Sequence, residues 1–412
     1  VIALRKKILS ENNHLFLDSG QARLLPFSCK DFFSPGGALR RFAKLSYNKI
    51  SLQEGNGVRS RMELTITIEE ATRRADIIFI DLRSPAEYAR ASIPGSFNIP
   101  LLDNAEREKI GLLYHHEGEL AARRSALALA APRLPALIEA ITTAAGEKIP
   151  VLYCWRGGLR SRSLHLALNL AGVASFRLLG GYRAYRRLVH RRLENYPLKG
   201  KFAVLHGLTG TGKTALIGKL IEQGTPAIDL EGLARHRGSL FGAIGLDEQP
   251  SQKDFEALLL QELDRFNGSD RIVIEGEGRR IGRIHLPNFV AEAMKQGEHF
   301  LLTAPLDLRV SRIVKQYLPS LHLEAELAGI REAILSLRSR IGGAAVEQLL
   351  GDLSAGRYGA VAGSLCRNYY DRMYGDARPE RRPFTAVIDS SNLDRAAVEL
   401  TALLSAGEPA IK

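Results

Sequence analysis

Three cysteines in 412 residues, Cys29, Cys154 and Cys366, are too few and too widely spaced for a disulfide framework. None stands in a CxxC or other metal-ligand spacing, so a zinc module is excluded and a single reactive thiol remains open. Cys29 and Cys366 read as inert, buried thiols. No apolar run approaches the roughly 20 residues that cross a bilayer, and no charged, apolar, small-residue leader opens the chain. A cytoplasmic protein with no membrane partner is therefore expected. Internal repeats and low-complexity tracts are also lacking.

What is present describes a globular protein: 45% apolar and 25% charged residues, with enough length for two domains. The formal charge of +12 is unevenly spread. Residues 1–61 hold eleven Lys or Arg against four acids, a net +7, which leaves +5 for the rest. Local clusters, rather than global charge, must carry any argument for a polyanionic partner.

Residues 1–61 show no sustained period and contain the turn signals Ser34-Pro35-Gly36-Gly37 and Gly55-Asn56-Gly57. The first methionine is Met62, so this stretch is expected to be a disordered basic extension or a segment upstream of the true start. A basic nucleic-acid arm is the functional alternative. Two α/β domains are expected at 62–197 and 198–405, with a tail at 406–412. In the first, helices at 68–74, 86–91, 121–144, 161–171 and 182–194 alternate with strands at 77–82, 150–153 and 175–178. In the second, strands at 202–206, 227–229, 271–275, 299–303 and 386–389 are separated by helices, including a long helical region at 322–372. Such alternation indicates parallel sheets covered on both faces.

Two strand-loop-helix segments carry chemistry. The first runs Val151-Leu152-Tyr153-Cys154-Trp155-Arg156-Gly157-Gly158-Leu159-Arg160. Loop amides at a helix start stabilise a thiolate, and nearby cations add to this. Gly157 and Gly158 permit a tight ring around the sulfur, Arg156 and Arg160 supply charge, and Ser161 is placed to cap the helix. Trp155 reads either as a stacking platform for a base or as a pocket wall.

The second segment, Gly207-Leu208-Thr209-Gly210-Thr211-Gly212-Lys213-Thr214, fits the P-loop pattern after an apolar strand. Its amides would cradle a diphosphate, Lys213 would bridge the oxygens, and Thr214 would ligate Mg²⁺. Strand 271–275 ends in Glu275, followed by Glu277, where a Walker B aspartate is usual. These glutamates are expected either to hold a metal or to orient a basic loop residue such as Arg279. Use of ATP does not follow from the loop alone. Between the two segments, Arg183, Arg186, Arg187 and Arg191 recur at i, i+3, i+4 and i+8, one helical face suited to a polyphosphate backbone.

The cysteine segment resembles the active-site loop of rhodanese domains. So do Asp81-Leu82-Arg83-Ser84-Pro85-Ala86-Glu87-Tyr88 and Ile93-Pro94-Gly95-Ser96-Phe97-Asn98-Ile99-Pro100. Further blocks are Arg237-Gly238-Ser239-Leu240-Phe241-Gly242, Pro250-Ser251-Gln252-Lys253-Asp254-Phe255-Glu256, Glu275-Gly276-Glu277-Gly278-Arg279-Arg280-Ile281-Gly282 and Tyr369-Tyr370-Asp371. With a P-loop domain, these make residues 63–400 similar to the tRNA 2-selenouridine synthase family. Gly276 and Gly278 depart from the bulkier polar residues expected there.

The resemblance implies a transferase that exchanges sulfur for selenium in 2-thiouridine at the wobble position of tRNA(Lys), tRNA(Glu) and tRNA(Gln). It implies alkylation of the sulfur from geranyl diphosphate, then displacement using selenophosphate, with Cys154 accepting the chalcogen. The tRNA anticodon arm is the implied partner, a selenophosphate-producing enzyme a second one, and a monomer the expected state. The P-loop would hold geranyl diphosphate or selenophosphate. The rival expectation is an ATP-dependent, rhodanese-type sulfurtransferase acting on RNA; an RNA-binding regulator is the non-enzymatic one.

Overall fold

This computed structural model describes residues 64–276, 278–317, 319, 324–373 and 383–406, with the short antiparallel pair Leu17–Asp18 and Gln21–Ala22. Apart from that pair, the extension expected at 1–61 lies outside the described residues, as does the tail beyond residue 406.

The first sheet holds β1 (Thr65–Ile66), β2 (Ile77–Asp81), β3 (Phe97–Asn98), β4 (Ile149–Tyr153) and β5 (Phe176–Leu178). Its order is β1-β5-β4-β2-β3, with every pairing parallel. The central strand is almost wholly apolar because helices cover both faces, and Val151, Leu152 and Tyr153 are fully buried. Helices α1 (Pro85–Arg90), α2 (Leu159–Leu170) and α3 (Gly181–Glu194) follow β2, β4 and β5. Ser84 starts α1 through a capping box with Glu87.

The second sheet holds β6 (Lys201–Gly207), β7 (Ala227–Ile228), β8 (Arg271–Glu275), β9 (Glu298–Thr303) and β10 (Ala386–Asp389). Its order is β10-β9-β6-β8-β7, again all parallel. Helices α4 (Lys213–Glu222), α5 (Gln252–Phe266) and α6 (Leu306–Tyr317) belong to this half. In both sheets a central strand, β4 or β6, delivers its loop at the carboxyl edge, where open α/β sheets bind ligands. The fold is α/β in both halves, as the alternating pattern predicts.

Strands β1 and β3 were not expected, and further elements differ from the expected pattern. Asn104–His116 forms a helix that the periodicity did not mark, although Asp103 and Glu106 make a capping box at its start. A hairpin, Arg280–Ile281 with Ile284–His285, follows β8. The helical region expected at 322–372 is several helices broken at Gly342 and Gly356, and it ends in a π-helical turn at Cys366–Tyr370. Among the described residues, one helical stretch, the 27 residues Glu119–Ala145, is long and apolar enough by composition to cross a membrane, contrary to the sequence expectation. A 3₁₀ turn at Ala131–Arg133 divides it, and its Ala130 and Ile141 pack into the core with Leu152 and Leu164.

The two halves meet where α3 packs against α5. Tyr185, Leu188 and Val189 share one apolar cluster with Phe255, Leu259 and Leu263. Arg186 pairs with Glu256, and Arg192 makes two 2.7 Å hydrogen bonds to Asp264. The Ser92 amide donates to Asp254 at 3.0 Å. Arg186→Ala and Glu256→Ala, alone and combined, are expected to show a coupling of about 1–3 kcal/mol in denaturant unfolding. Glu256→Ala should be the costlier single change, since it strands a part-buried guanidinium. Simple additivity would contradict this pairing.

Candidate active site: a cysteine loop and a phosphate loop

Cys154 follows β4 directly and is 4% exposed. Its loop rests on the turn that starts α3. Gly157, Gly180 and Gly181 all have positive φ, and a β-carbon on Gly181 would lie 2.2 Å from the Cys154 carbonyl oxygen. Only glycine allows that approach. The amides of Tyr182 and Arg183 donate to the carbonyls of Cys154 and Trp155, and Arg177 donates to that of Gly157 at 2.6 Å. Ser161 does not cap α2: its hydroxyl lies 3.4 Å from Cys154 Sγ and bonds the Gly158 carbonyl, while Gly158 itself is the cap residue.

The rhodanese-like signatures act as scaffold for this loop. Arg83, 1% exposed, forms a buried ion pair with Asp81 and donates to the Ala91 carbonyl at 2.6 Å. Burial opposes its charge, yet Asp81 outweighs this and raises the Arg83 pKa. The guanidinium lies 4.2 Å from the Tyr182 ring centroid, below the Trp155 side of the loop. Asn98 donates to the carbonyls of Asp81 and Arg83, and Tyr153 holds Ser96 at 2.9 Å.

Of the two arginines expected to serve the thiolate, Arg156 is exposed beside the loop. Arg160 is corrected to another role: it donates to Glu87 at 2.7 and 3.3 Å, so its charge is already matched. Burial would raise the Glu87 carboxyl, but Arg160 draws it below its ordinary value.

In the phosphate loop, Gly207, Gly210 and Gly212 have positive φ, and a β-carbon on Gly210 would lie 2.7 Å from the Arg309 carbonyl. Two α6 residues that the sequence pattern did not mark pull the loop carbonyls outward. Arg309 donates to Thr209 O at 2.8 Å, and Arg312 donates to Thr211 O at 2.8 Å. Asp371, in the Tyr369-Tyr370-Asp371 block, holds Arg309 through bonds of 3.0 and 2.6 Å. Lys213 Nζ bonds the Gly207 carbonyl at 3.0 Å, and Thr214 donates to Glu231 at 2.7 Å.

A half-open cavity of about 90 Å³ adjoins this loop. Thr209, whose buried Oγ1 has no partner among the described residues, lines it with Ser239, Phe241, Ile313, Tyr317, Leu353 and Leu365. Cys366 is fully buried nearby, and burial pushes its thiol up, as suits a structural cysteine.

Glu275 is fully buried, and its Oε2 accepts the Leu230 amide at 2.8 Å. That bond orients the loop after β7 and leaves Glu231, rather than Glu275, beside Thr214. Glu277 lies outside the described residues. Among the described residues, no three His, Cys, Asp or Glu converge on one point. Burial, reinforced by Asp229 and Glu231, pushes the Glu275 carboxyl well above 4.5.

The expected basic face divides in the structure. Arg183 and Arg187 are exposed near the cysteine loop, whereas Arg186 is committed to Glu256 across the seam. Arg191 pairs in open solvent with Glu69 at 2.8 Å. Arg186 is therefore corrected from RNA contact to seam residue.

The raised Glu275 carboxyl has a definite thermodynamic sign. Below pH 4.5 both states are protonated; above it the unfolded chain ionises first, and stability falls as pH rises. Glu275→Gln should remove that loss, so its advantage in denaturant midpoint grows between about pH 5 and about pH 8. An advantage independent of pH would contradict a protonated Glu275.

Residues 200–394 match the family described as tRNA 2-selenouridine synthase AAA domain, and residues 67–188 match the rhodanese-like domain. The chain is 35% identical over 334 residues to the tRNA 2-selenouridine synthase of Verminephrobacter eiseniae, spanning 74% of this chain and 90% of that protein. It is 35% identical over 340 residues to the synthase of the same name from Cupriavidus necator, covering 74% and 89% respectively. The corresponding figures for Bdellovibrio bacteriovorus are 29% over 361 residues, 77% and 93%. With both domains matched in one chain, and relatives 35% identical that it covers to 89% or more of their length, the chain belongs to the tRNA 2-selenouridine synthases, transferases of tRNA modification.

Proposed function

We propose that the protein makes 2-selenouridine at the wobble position of tRNA(Lys), tRNA(Glu) and tRNA(Gln) in two steps, using geranyl diphosphate and then selenophosphate. The observation that carries this reading is the apolar cavity that abuts the phosphate loop. A nucleoside would leave its base and ribose polar groups against Phe241, Ile313, Leu353 and Leu365, an unfavourable match. A hydrocarbon joined to a diphosphate satisfies both surfaces, with part of the chain lying along the open side.

In the first step the 2-thio sulfur attacks C1 of the geranyl group. The carbon–oxygen bond breaks, and diphosphate leaves with the electron pair. Lys213 and the loop amides stabilise the charge that grows on it. Thr214 and Glu231 are the donors that would hold Mg²⁺ with the phosphate oxygens, which suits an ion that keeps few protein ligands. Alkylation turns the sulfur into a good leaving group.

In the second step the selenium of selenophosphate attacks C2 and geranylthiol leaves; water then cleaves the phosphorus–selenium bond, which releases phosphate and leaves 2-selenouridine. The Cys154 thiol gives its proton to the departing geranyl thiolate, and the thiolate left behind is stabilised at the start of α2 beside Arg156 until it regains a proton from water. A selenophosphate-producing enzyme would supply this step.

Mass spectrometry of anticodon nucleosides separates the two sites. Cys154→Ser is expected to accumulate geranylated thiouridine without selenouridine, while Lys213→Ala slows geranylation by about 100-fold or more. Loss of geranylation in folded Cys154→Ser, or a requirement for ATP, would overturn the reading in favour of an ATP-dependent sulfurtransferase.

A further inference from the structure

The mouth of the cysteine loop is built from both halves of the molecule. Trp155 is 38% exposed, with the Tyr182 ring 5.6 Å away on its inner side. From the second half, Lys253 at the start of α5 places its Nζ 5.8 Å from the Trp155 ring centroid. The next residue, Asp254, receives the Ser92 amide from the first half. Burial raises the Asp254 carboxyl, against the pull of Ser92, Ser251, Arg83 and Arg235 around it. Arg235 ends helix Leu230–Ala234, which packs against α5, the helix that carries Lys253.

The cations of this region fall into two groups. Arg186, Arg191 and Arg192 are matched by Glu256, Glu69 and Asp264. Arg156, Arg183, Arg187, Arg235 and Lys253 are all exposed and carry no ion pair among the described residues. Arg183 is tied to the loop by the hydrogen bond that its backbone amide donates to the Trp155 carbonyl, and the Arg187 guanidinium reaches within 3.6 Å of where a β-carbon on Gly180 would stand. Arg235 is the one described residue other than glycine with positive φ, at +47°, a conformation that costs an L-residue energy.

Unmatched cations around an exposed indole suit single-stranded RNA, which binds through phosphate contacts and base stacking. We propose that Arg156, Arg183, Arg187, Arg235 and Lys253 form one phosphate-binding rim across the seam, holding the RNA strand on either side of the nucleotide presented at Trp155 and Cys154. The proposal rests on the RNA-modifying reading above and adds a location to it. Lys253 and Arg235 are its decisive members, because they bring the second half into direct contact with RNA bound at the first. The strand would then keep its register as the reacting base passes between the two loops.

The test is binding of a thiolated tRNA anticodon stem-loop to the full chain, followed by fluorescence anisotropy over a range of salt. For single strands each lost phosphate contact lowers the slope of log affinity against log salt by about 0.7. Lys253→Ala with Arg235→Ala is expected to lower it by about 1.4, and Arg186→Ala, the ion-paired control, by nothing. Thermal midpoints report whether each variant is folded; Lys253→Gln with Arg235→Gln provides a second neutralised pair. An unchanged slope in both folded double variants, with the wild type still bound, would overturn the rim alone. Absence of salt-dependent RNA binding by the wild type would overturn the RNA-modifying reading and the rim with it.

Discussion

The contact of backbone on backbone at Gly157, Gly180 and Gly181 governs the rest of the active region. The Cys154 carbonyl comes so near to Gly181 that no side chain fits between them. The same turn that seats the sulfur loop therefore begins α3, the helix that carries the seam to the second half. Position of the thiol, direction of α3 and placement of Lys253 over Trp155 are linked through this one steric requirement. A larger residue at 181 would disturb all three together.

The two loops are built by a shared device and differ in what surrounds it. In each, glycines permit a tight ring, and outside donors occupy loop carbonyls. Arg177 and the first amides of α3 do this for the cysteine loop; Arg309 and Arg312 do it for the phosphate loop. Around the sulfur lie an exposed indole and cations unmatched among the described residues, where the RNA rim is proposed. Beside the phosphate loop lies an apolar cavity with one hydroxyl, that of Thr209, unpartnered among the described residues, where the phosphate ester with a hydrocarbon tail is proposed to bind.

Both loops, the central strands and the parallel α/β order were legible in the sequence because backbone geometry and full burial constrain residue type locally. Cys154 and Lys213 stood out for that reason. Arg309 and Arg312 were not legible: they act on the phosphate loop from about a hundred residues away, and nothing in their own segment marks them. The i, i+3, i+4 spacing correctly placed four arginines on a helix but could not show that Glu256 faces Arg186. Arg160 likewise looked like a partner of the thiolate until Glu87, distant in sequence, claimed it. Charge matching depends on tertiary neighbours, and local pattern holds no record of them.

The central claim is that loop and cavity together form a site for a diphosphate bearing a hydrocarbon chain. Calorimetric titration with geranyl diphosphate, inorganic diphosphate and ATP at several temperatures tests it most directly. The account predicts that geranyl diphosphate binds more tightly than inorganic diphosphate, with a negative heat-capacity change from apolar burial, and that ATP does not displace it. Equal affinity for the two diphosphates, or displacement by ATP, would contradict it.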